Sequence, residues 1–146
     1  MHDNLIFIPF NVPSSKNSRI NTTNGSFASK TVKSYLNKLG IQSYSSSKKI
    51  VKGYINRPNL IEELKPQFEE LIKGKELPLE IGFHFVRDSK RKWDFHNIVQ
   101  VILDILTASD IIIDDNIDCV IPYVLKIDNK FYSVDKENCG VWIKIK

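Results

Sequence analysis

Apolar residues recur along this chain with two different periods, and the points where the period changes mark out the expected elements. Leu5 to Val12 (LIFIPFNV) is a nearly unbroken apolar run that ends at Pro13 and reads as a first strand. The segment that follows, SSKNSRINTTNGSFASK, is dominated by Ser, Asn, Thr and Gly, the composition of a hydrogen-bonding loop. Ser29 is placed to cap a short helix through about Leu39, and Gly40 stops it. Beyond a serine-rich turn at Ser43 to Ser47, Ile50 to Ile55 reads as a short strand. Asn59 then caps a helix to about Lys73, with Leu60, Leu64, Phe68, Leu71 and Ile72 at helical spacing and Gly74 as terminator. Pro66 falls inside that pattern. Since proline costs about 3 kcal/mol in a helix interior, a kink or a break into two short helices is expected there.

In the second half, Leu79 to Val86 alternates Leu79, Ile81, Phe83 and Phe85 with Glu80, Gly82, His84 and Val86, the period of a half-buried strand. Trp93 to Thr107 reads as a helix, followed by a connector and the short apolar run Ile111 to Ile113. Cys119 to Ile127 and Val141 to Ile145 are expected to close the chain as an antiparallel hairpin across the loop DNKFYSVDKENCG. These elements predict one α+β domain over residues 1–146: a mixed, mostly antiparallel sheet of four to five strands packed with two to three helices.

Composition fits that picture, with 146 residues, 42% hydrophobic and 26% charged, as in a single globular domain. No run of about 18 apolar residues can span a bilayer. The N-terminal MHDNLIFIPF lacks the basic region and cleavage site of a secretory signal, so a cytoplasmic protein is expected, in the host cell if phage-encoded. Cys119 and Cys139 lack zinc-knuckle spacing and read as buried, reduced thiols.

Charge changes the picture more. The net charge is only +4, but residues 1–58 carry nine Lys/Arg against the single acid Asp3, and Arg87, Lys90, Arg91 and Lys92 form a second basic cluster. A phosphate-backbone binder needs that asymmetry, because each cation paired with a phosphate releases condensed counterion. Between Trp93 and Leu125, by contrast, stand six aspartates and no Lys or Arg. Within the predicted helix the polar residues Asn97, Gln100 and Asp104 lie three and four apart and therefore share one stripe. Asp94 stands at the N-cap position and can serve as a cap alone, just as Asp114-Asp115-Asn116 can form a turn alone. Adjacent carboxylates also repel, and a cation relieves the repulsion. Mg2+, or Mn2+ in its place, takes one or two carboxylates with water and phosphate oxygens completing the shell. Asp94 and Asp115 are the leading candidate ligands, with His96 and Asp114 as further ones.

At this point the chain resembles a known family, the RusA-type Holliday-junction resolvases, small phage and prophage endodeoxyribonucleases. IPFNVPSSKNSR, residues 8–19, is similar to that family's opening strand, proline and Ser/Lys/Asn/Arg loop. RKWDFHNIVQVILDILTASDIIIDD, from Arg91 to Asp115, is similar without a gap to its basic run, Asp-x-Asp-Asn, a lysine three residues on, an Asp in the same helix and a terminal Asp-Asp. The resemblance follows the order of elements over most of the chain, with specific matches in residues 8–19 and 91–118. It implies a RusA-like fold, a Mg2+-dependent endonuclease of recombination, repair or phage DNA processing, a homodimer and four-way DNA junctions as substrate.

Carried over residue by residue, Asp94, Asp115 and Gln100 take the catalytic positions, Asp94, His96, Asp114 and Asp115 the metal positions, and Asn97 and Asp104 supporting ones. Lys16, Asn17, Arg19, Lys33, Arg91 and Lys92 are the expected DNA contacts. Two positions depart from the pattern: His96 stands where the family has its second aspartate, and Gln100 where it has lysine. Those departures keep an alternative open, a junction-binding protein of the same fold with weak or no catalysis.

Overall fold

A computed structural model describes residues 4–14, 19–22, 25–28, 30–42 and 57–146. In chain order these form β1 (Leu5–Pro9), β2 (Arg19–Thr22), β3 (Gly25–Ala28), α1 (Lys30–Lys38), α2 (Leu60–Ile72), β4 (Leu79–Arg87), α3 (Phe95–Ala108), β5 (Val120–Val124), β6 (Ser133–Val134) and β7 (Gly140–Ile145). One mixed sheet of five strands has the order β1-β7-β4-β5, and β6 pairs with the far end of β4. The β1–β7 and β7–β4 pairs are antiparallel, while β5 and β6 run parallel to β4. With three helices, the α+β class and the strand count are as the apolar pattern predicts. β2 and β3 form a separate antiparallel ribbon. The expected Ser29 cap and the expected strand at Ile50 to Ile55 lie outside the described residues. None of the described helices is long and apolar enough to cross a membrane.

The expected closing hairpin is not formed. β5 and β7 lie on opposite sides of β4, and the reason is the connection each makes. Parallel neighbours need a crossover of a dozen or more residues, which α3 and its return segment supply between β4 and β5. β7 instead enters antiparallel between β1 and β4, setting Ile143 opposite both Ile6 and Phe83, and Val141 opposite both Ile8 and Phe85. All six of these side chains are buried.

The central position of β4 also buries Gly82, His84 and Val86 on the face that its alternation marks as polar, leaving Glu80 exposed. Gly82 leaves room for the Tyr123 ring, since a Cβ there would lie 2.6 Å from two of its carbons. His84 is buried, with Nδ1 2.8 Å from the Leu125 carbonyl and Nε2 2.7 Å from Ser133 Oγ. A carbonyl only accepts, so Nδ1 carries a proton and donates. This side chain ties the end of β5 and the start of β6 to β4.

α2 begins as read, with Asn59 Oδ1 accepting from the backbone of Ile61 and Glu62 at 2.9 and 3.1 Å. It does not break at Pro66. Proline's missing N–H costs the helix one bond, while fully buried Ile61 and Phe68 anchor the turns on either side of it. Gly40, at φ +83°, ends the α1 region, and a Cβ there would strike the Pro58 carbonyl as the chain passes into α2. Cys119 is buried as expected, but Cys139 is only partly so, its thiol donating to the Asp135 carbonyl at 3.2 Å. Burial, reinforced by Asp88, pushes that thiol's pKa up and keeps it protonated.

α3 is apolar on most sides, and Ile98, Ile102, Ile105 and Leu106 are nearly or wholly buried beneath it. It ends in a Schellman arrangement: the Ile111 amide bonds the Leu106 carbonyl at 2.9 Å and the Asp110 amide that of Thr107 at 3.1 Å. Asp110 holds the left-handed position at φ +57°. A left-handed non-glycine costs roughly 1 kcal/mol, and an acid at a helix C-terminus opposes the helix dipole. Asp110→Gly is therefore expected to raise stability by about 1 kcal/mol, read as a higher urea midpoint with unchanged slope.

Tyr35 on α1 is 3% exposed, and its hydroxyl has no hydrogen-bond partner among the described residues. Burial pushes its pKa far above the ordinary 10.0, so the folded state holds the proton more tightly than the unfolded chain does. The sign follows: stability is undiminished below about pH 10 and falls as pH rises beyond it, where only the unfolded chain ionises. Tyr35→Phe is expected to flatten this alkaline loss, measured as urea midpoints across that range.

Candidate active site

The polar stripe of α3 is assembled by the way the chain leaves the helix. After the turn at Asp110 the chain doubles back along α3, anchored by Ile111 and Ile112, which are buried, while Ile113 is exposed. The three isoleucines are thus the hinge that returns the acidic doublet to the helix. Asp115 Oδ2 then accepts from Gln100 Nε2 at 2.7 Å, and the same nitrogen donates to Asp104 Oδ1 at 2.8 Å. An amide nitrogen carries two protons and an ionised carboxylate only accepts, so one side chain satisfies both acids. Hydrogen bonds to charged groups contribute about 1.5–3 kcal/mol each, which offsets part of the repulsion between two neighbouring carboxylates.

At the helix start, Asp94 has the extended backbone of an N-cap (φ −107°, ψ 122°) but makes no side-chain capping bond. Its Oδ2 instead accepts from Asn97 Nδ2 at 3.3 Å. Pure capping is therefore not its role, and about 1 kcal/mol of available helix stabilisation is left unused. Asp94 is exposed, as is His96 two residues on, whereas Asn97, Gln100, Asp104, Asp114 and Asp115 are half-buried. Asp114 acts within the turn: Oδ1 accepts from the Asp115 amide at 2.8 Å and Oδ2 from Asn116 Nδ2 at 3.4 Å.

The carboxylates thus form a line along α3. Six residues of helix, at 1.5 Å rise each, set Asp94 roughly 9 Å along the axis from Gln100, where Asp115 arrives. Among the described residues no three His, Cys, Asp or Glu side chains are grouped to hold a metal ion. The donor set suits a hard cation only in an open shell of one or two carboxylates completed by water and phosphate oxygens, the arrangement Mg2+ accepts.

Beside Asp94 lies a cleft of about 460 Å³ lined by Lys90, Arg91, Lys92, Trp93, Phe95, Val124, Phe131 and Tyr132. Arg91 and Lys92 are exposed on its rim; Arg91 reaches Asp88 at 3.9 Å and Ser89 Oγ at 3.2 Å. Trp93 packs edge-on against Phe85 and Tyr132, at centroid distances of 5.6 and 5.3 Å. Of the other expected DNA contacts, Lys33 is exposed on α1, Arg19 opens β2, and Lys16 and Asn17 lie outside the described residues.

Two further groups that line clefts carry little signal in the sequence. Phe131 and Tyr132 sit in a loop whose only signal was its aromatic pair. Lys30, Ser34 and Lys38 share a face of α1 at four-residue spacing, a periodicity that separates them from Lys33. No protein-family model and no curated protein matches the chain.

Proposed function

We propose that this protein is a metal-dependent, structure-specific DNA endonuclease of the RusA type, acting on four-way junctions by paired phosphodiester hydrolysis in recombination, repair or phage DNA processing. The observation that carries the reading is the Gln100 bridge, which joins the returning acidic doublet to the polar stripe of the helix whose Asp94 end lines a basic, aromatic cleft. Chance turn-forming aspartates have no reason to meet the one polar stripe of a buried helix.

In this reading Asp94 and Asp115 would hold one or two Mg2+ or Mn2+ ions, with His96 and Asp114 as further candidate ligands and with water and phosphate oxygens spanning the roughly 9 Å of helix between the two acids. Bound there, the ion supplies a water of lowered pKa and neutralises phosphate charge. Asn97 orients the Asp94 carboxylate, and Gln100, supported by Asp104, orients that of Asp115. Arg91 and Lys92 bind the flanking phosphates. One P–O bond would form to the water oxygen, whose proton passes to bulk water, while the opposite P–O bond breaks and the departing alkoxide takes a proton from bulk water. A homodimer supplies two equivalent centres for the two symmetric incisions a junction needs. The cytoplasm, of the host if phage-encoded, is the compartment of such a reaction.

The neutral Gln100 and the absence of a three-ligand group among the described residues favour one alternative, a junction-binding protein with weak or no turnover. A synthetic four-way junction incubated with Mg2+ separates the two. Symmetric nicks that vanish with chelator and with Asp94→Asn support the enzyme; retention without nicking supports the binder; equal affinity for junction, duplex and RNA contradicts both. Gln100→Lys places a cation between Asp104 and Asp115 and is expected to raise nicking about tenfold, equivalent to about 1.4 kcal/mol of transition-state stabilisation.

A further inference from the structure

A second cleft lies between the end of β1 and α1, apart from the acidic stripe. It encloses about 600 Å³ and is lined by Asn11, Ser14, Lys30, Ser34, Tyr35, Lys38 and Arg87, with Asp88 the one acid. Asp88 lies 3.9 Å from Arg91, and no carboxylate among the described residues is paired with Lys30, Lys38 or Arg87. Arg87 is fixed from two sides. One Nη donates to the Val12 carbonyl, and the guanidinium lies over the Trp93 ring with Cζ 5.3 Å from its centroid.

A guanidinium carries five N–H donors, so a held, half-buried Arg87 keeps donors to spare. Burial lowers its pKa in spite of the neighbouring Asp88, which records the cost of desolvating the cation. The lining residue Tyr35 also has a buried hydroxyl with no hydrogen-bond partner among the described residues, a donor free for an acceptor. Buried polar groups are ordinarily satisfied, and a cleft lined by cations and an orphaned hydroxyl donor is matched by an anion with several oxygens.

We propose that this cleft is a phosphate-binding site, in which Lys30, Lys38 and Arg87 surround one phosphoryl group and the Tyr35 hydroxyl supplies a neutral donor at its floor. The clefts on the two sides of the Arg87–Trp93 stack adjoin, because Trp93 lines the one beside Asp94 and Arg87 lines this one. A DNA strand crossing that stack meets the acidic stripe on one side and the phosphate site on the other. That the phosphate belongs to DNA rests on the endonuclease reading; that the cleft takes a phosphate does not.

Two measurements on the full chain decide the matter. Inorganic phosphate titrated at constant ionic strength is expected to give saturable NMR shifts at Thr31, Ser34 and Tyr35, lost in Lys30→Gln/Lys38→Gln and weakened several-fold in Tyr35→Phe. Lys30 and Lys38 are exposed, so their replacement leaves the core intact. Junction affinity measured between about 50 and 200 mM salt is expected to lose roughly 0.9 from its log–log salt slope in the double variant, one phosphate contact, and nothing in Lys75→Gln. Phosphate shifts without a change of slope support the site but make a small phosphorylated molecule its occupant. No saturable shift and an unchanged slope, in a protein that still binds junctions, overturn the site and leave the endonuclease reading standing. A wild-type chain that ignores DNA overturns the endonuclease reading, and the phosphate titration alone then decides the cleft.

Discussion

Asp115→Asn is expected to reduce Mg2+-dependent nicking of a four-way junction by at least about 100-fold while leaving junction affinity within a few-fold of the parent. Asparagine has the same shape, and its amide oxygen can still accept the 2.7 Å bond from Gln100, so the return of the chain to α3 is preserved. What is lost is the negative charge that a hard cation needs. A metal ion contributes several kcal/mol of charge stabilisation at a phosphoryl centre, and each 1.36 kcal/mol is tenfold in rate, hence about two to three orders of magnitude. The split between rate and affinity is the informative part. A variant that loses both has lost its fold or its DNA surface, whereas one that nicks at the parental rate shows that Asp115 serves only the turn.

Phe85→Ala is the second large effect, expected to cost about 3–5 kcal/mol, a sizeable share of the 5–15 kcal/mol that holds a typical domain together. Phe85 is 1% exposed on the central strand and packs edge-on against Trp93 at 5.6 Å and Phe95 at 6.0 Å, the residues on either side of Asp94. Removing the ring leaves a cavity under the start of α3 and frees the segment that aims Asp94. Phe85→Leu retains most of the buried volume and is expected to cost less than half as much. Urea unfolding of the two variants checks the difference; equal, small losses would mean that β4 tolerates a void at its centre.

How much of this was legible in the sequence depended on whether the signal was local. Asn59, Gly40 and the apolar stripe of α3 act through neighbours within one or two helical turns, and each stands where the pattern put it. Partners that come from far along the chain were read less well. Nothing within Val141 to Ile145 reveals that it inserts between β1 and β4 rather than pairing with β5, because an alternating strand suits either neighbour. The alternation of β4 misled for the same reason, since Gly82 and His84 are polar or small by type yet buried by Tyr123, Leu125 and Ser133. At Pro66, burial of Ile61 and Phe68 outweighed a local penalty.

The candidate site divides along the same line. The shared stripe of Asn97, Gln100 and Asp104 followed from helical spacing alone, and the meeting of Gln100 with Asp115 extends it through a contact fifteen residues apart. That Asp94 turns from its own helix end to Asn97, and that Asp114 is occupied by its turn, could not be read from residue types that suit both roles. The α1 cleft stayed hidden because Arg87 reaches Val12 across 75 residues, a contact that no window of sequence contains.

The most direct test of the central claim, that the acids at the two ends of the α3 stripe serve one metal centre, is a crystal structure of the protein soaked with Mn2+, with diffraction recorded at the manganese edge. The account predicts anomalous density along the stripe, at one or two sites ligated by Asp94 and Asp115. Density elsewhere, or none at saturating Mn2+, would contradict it.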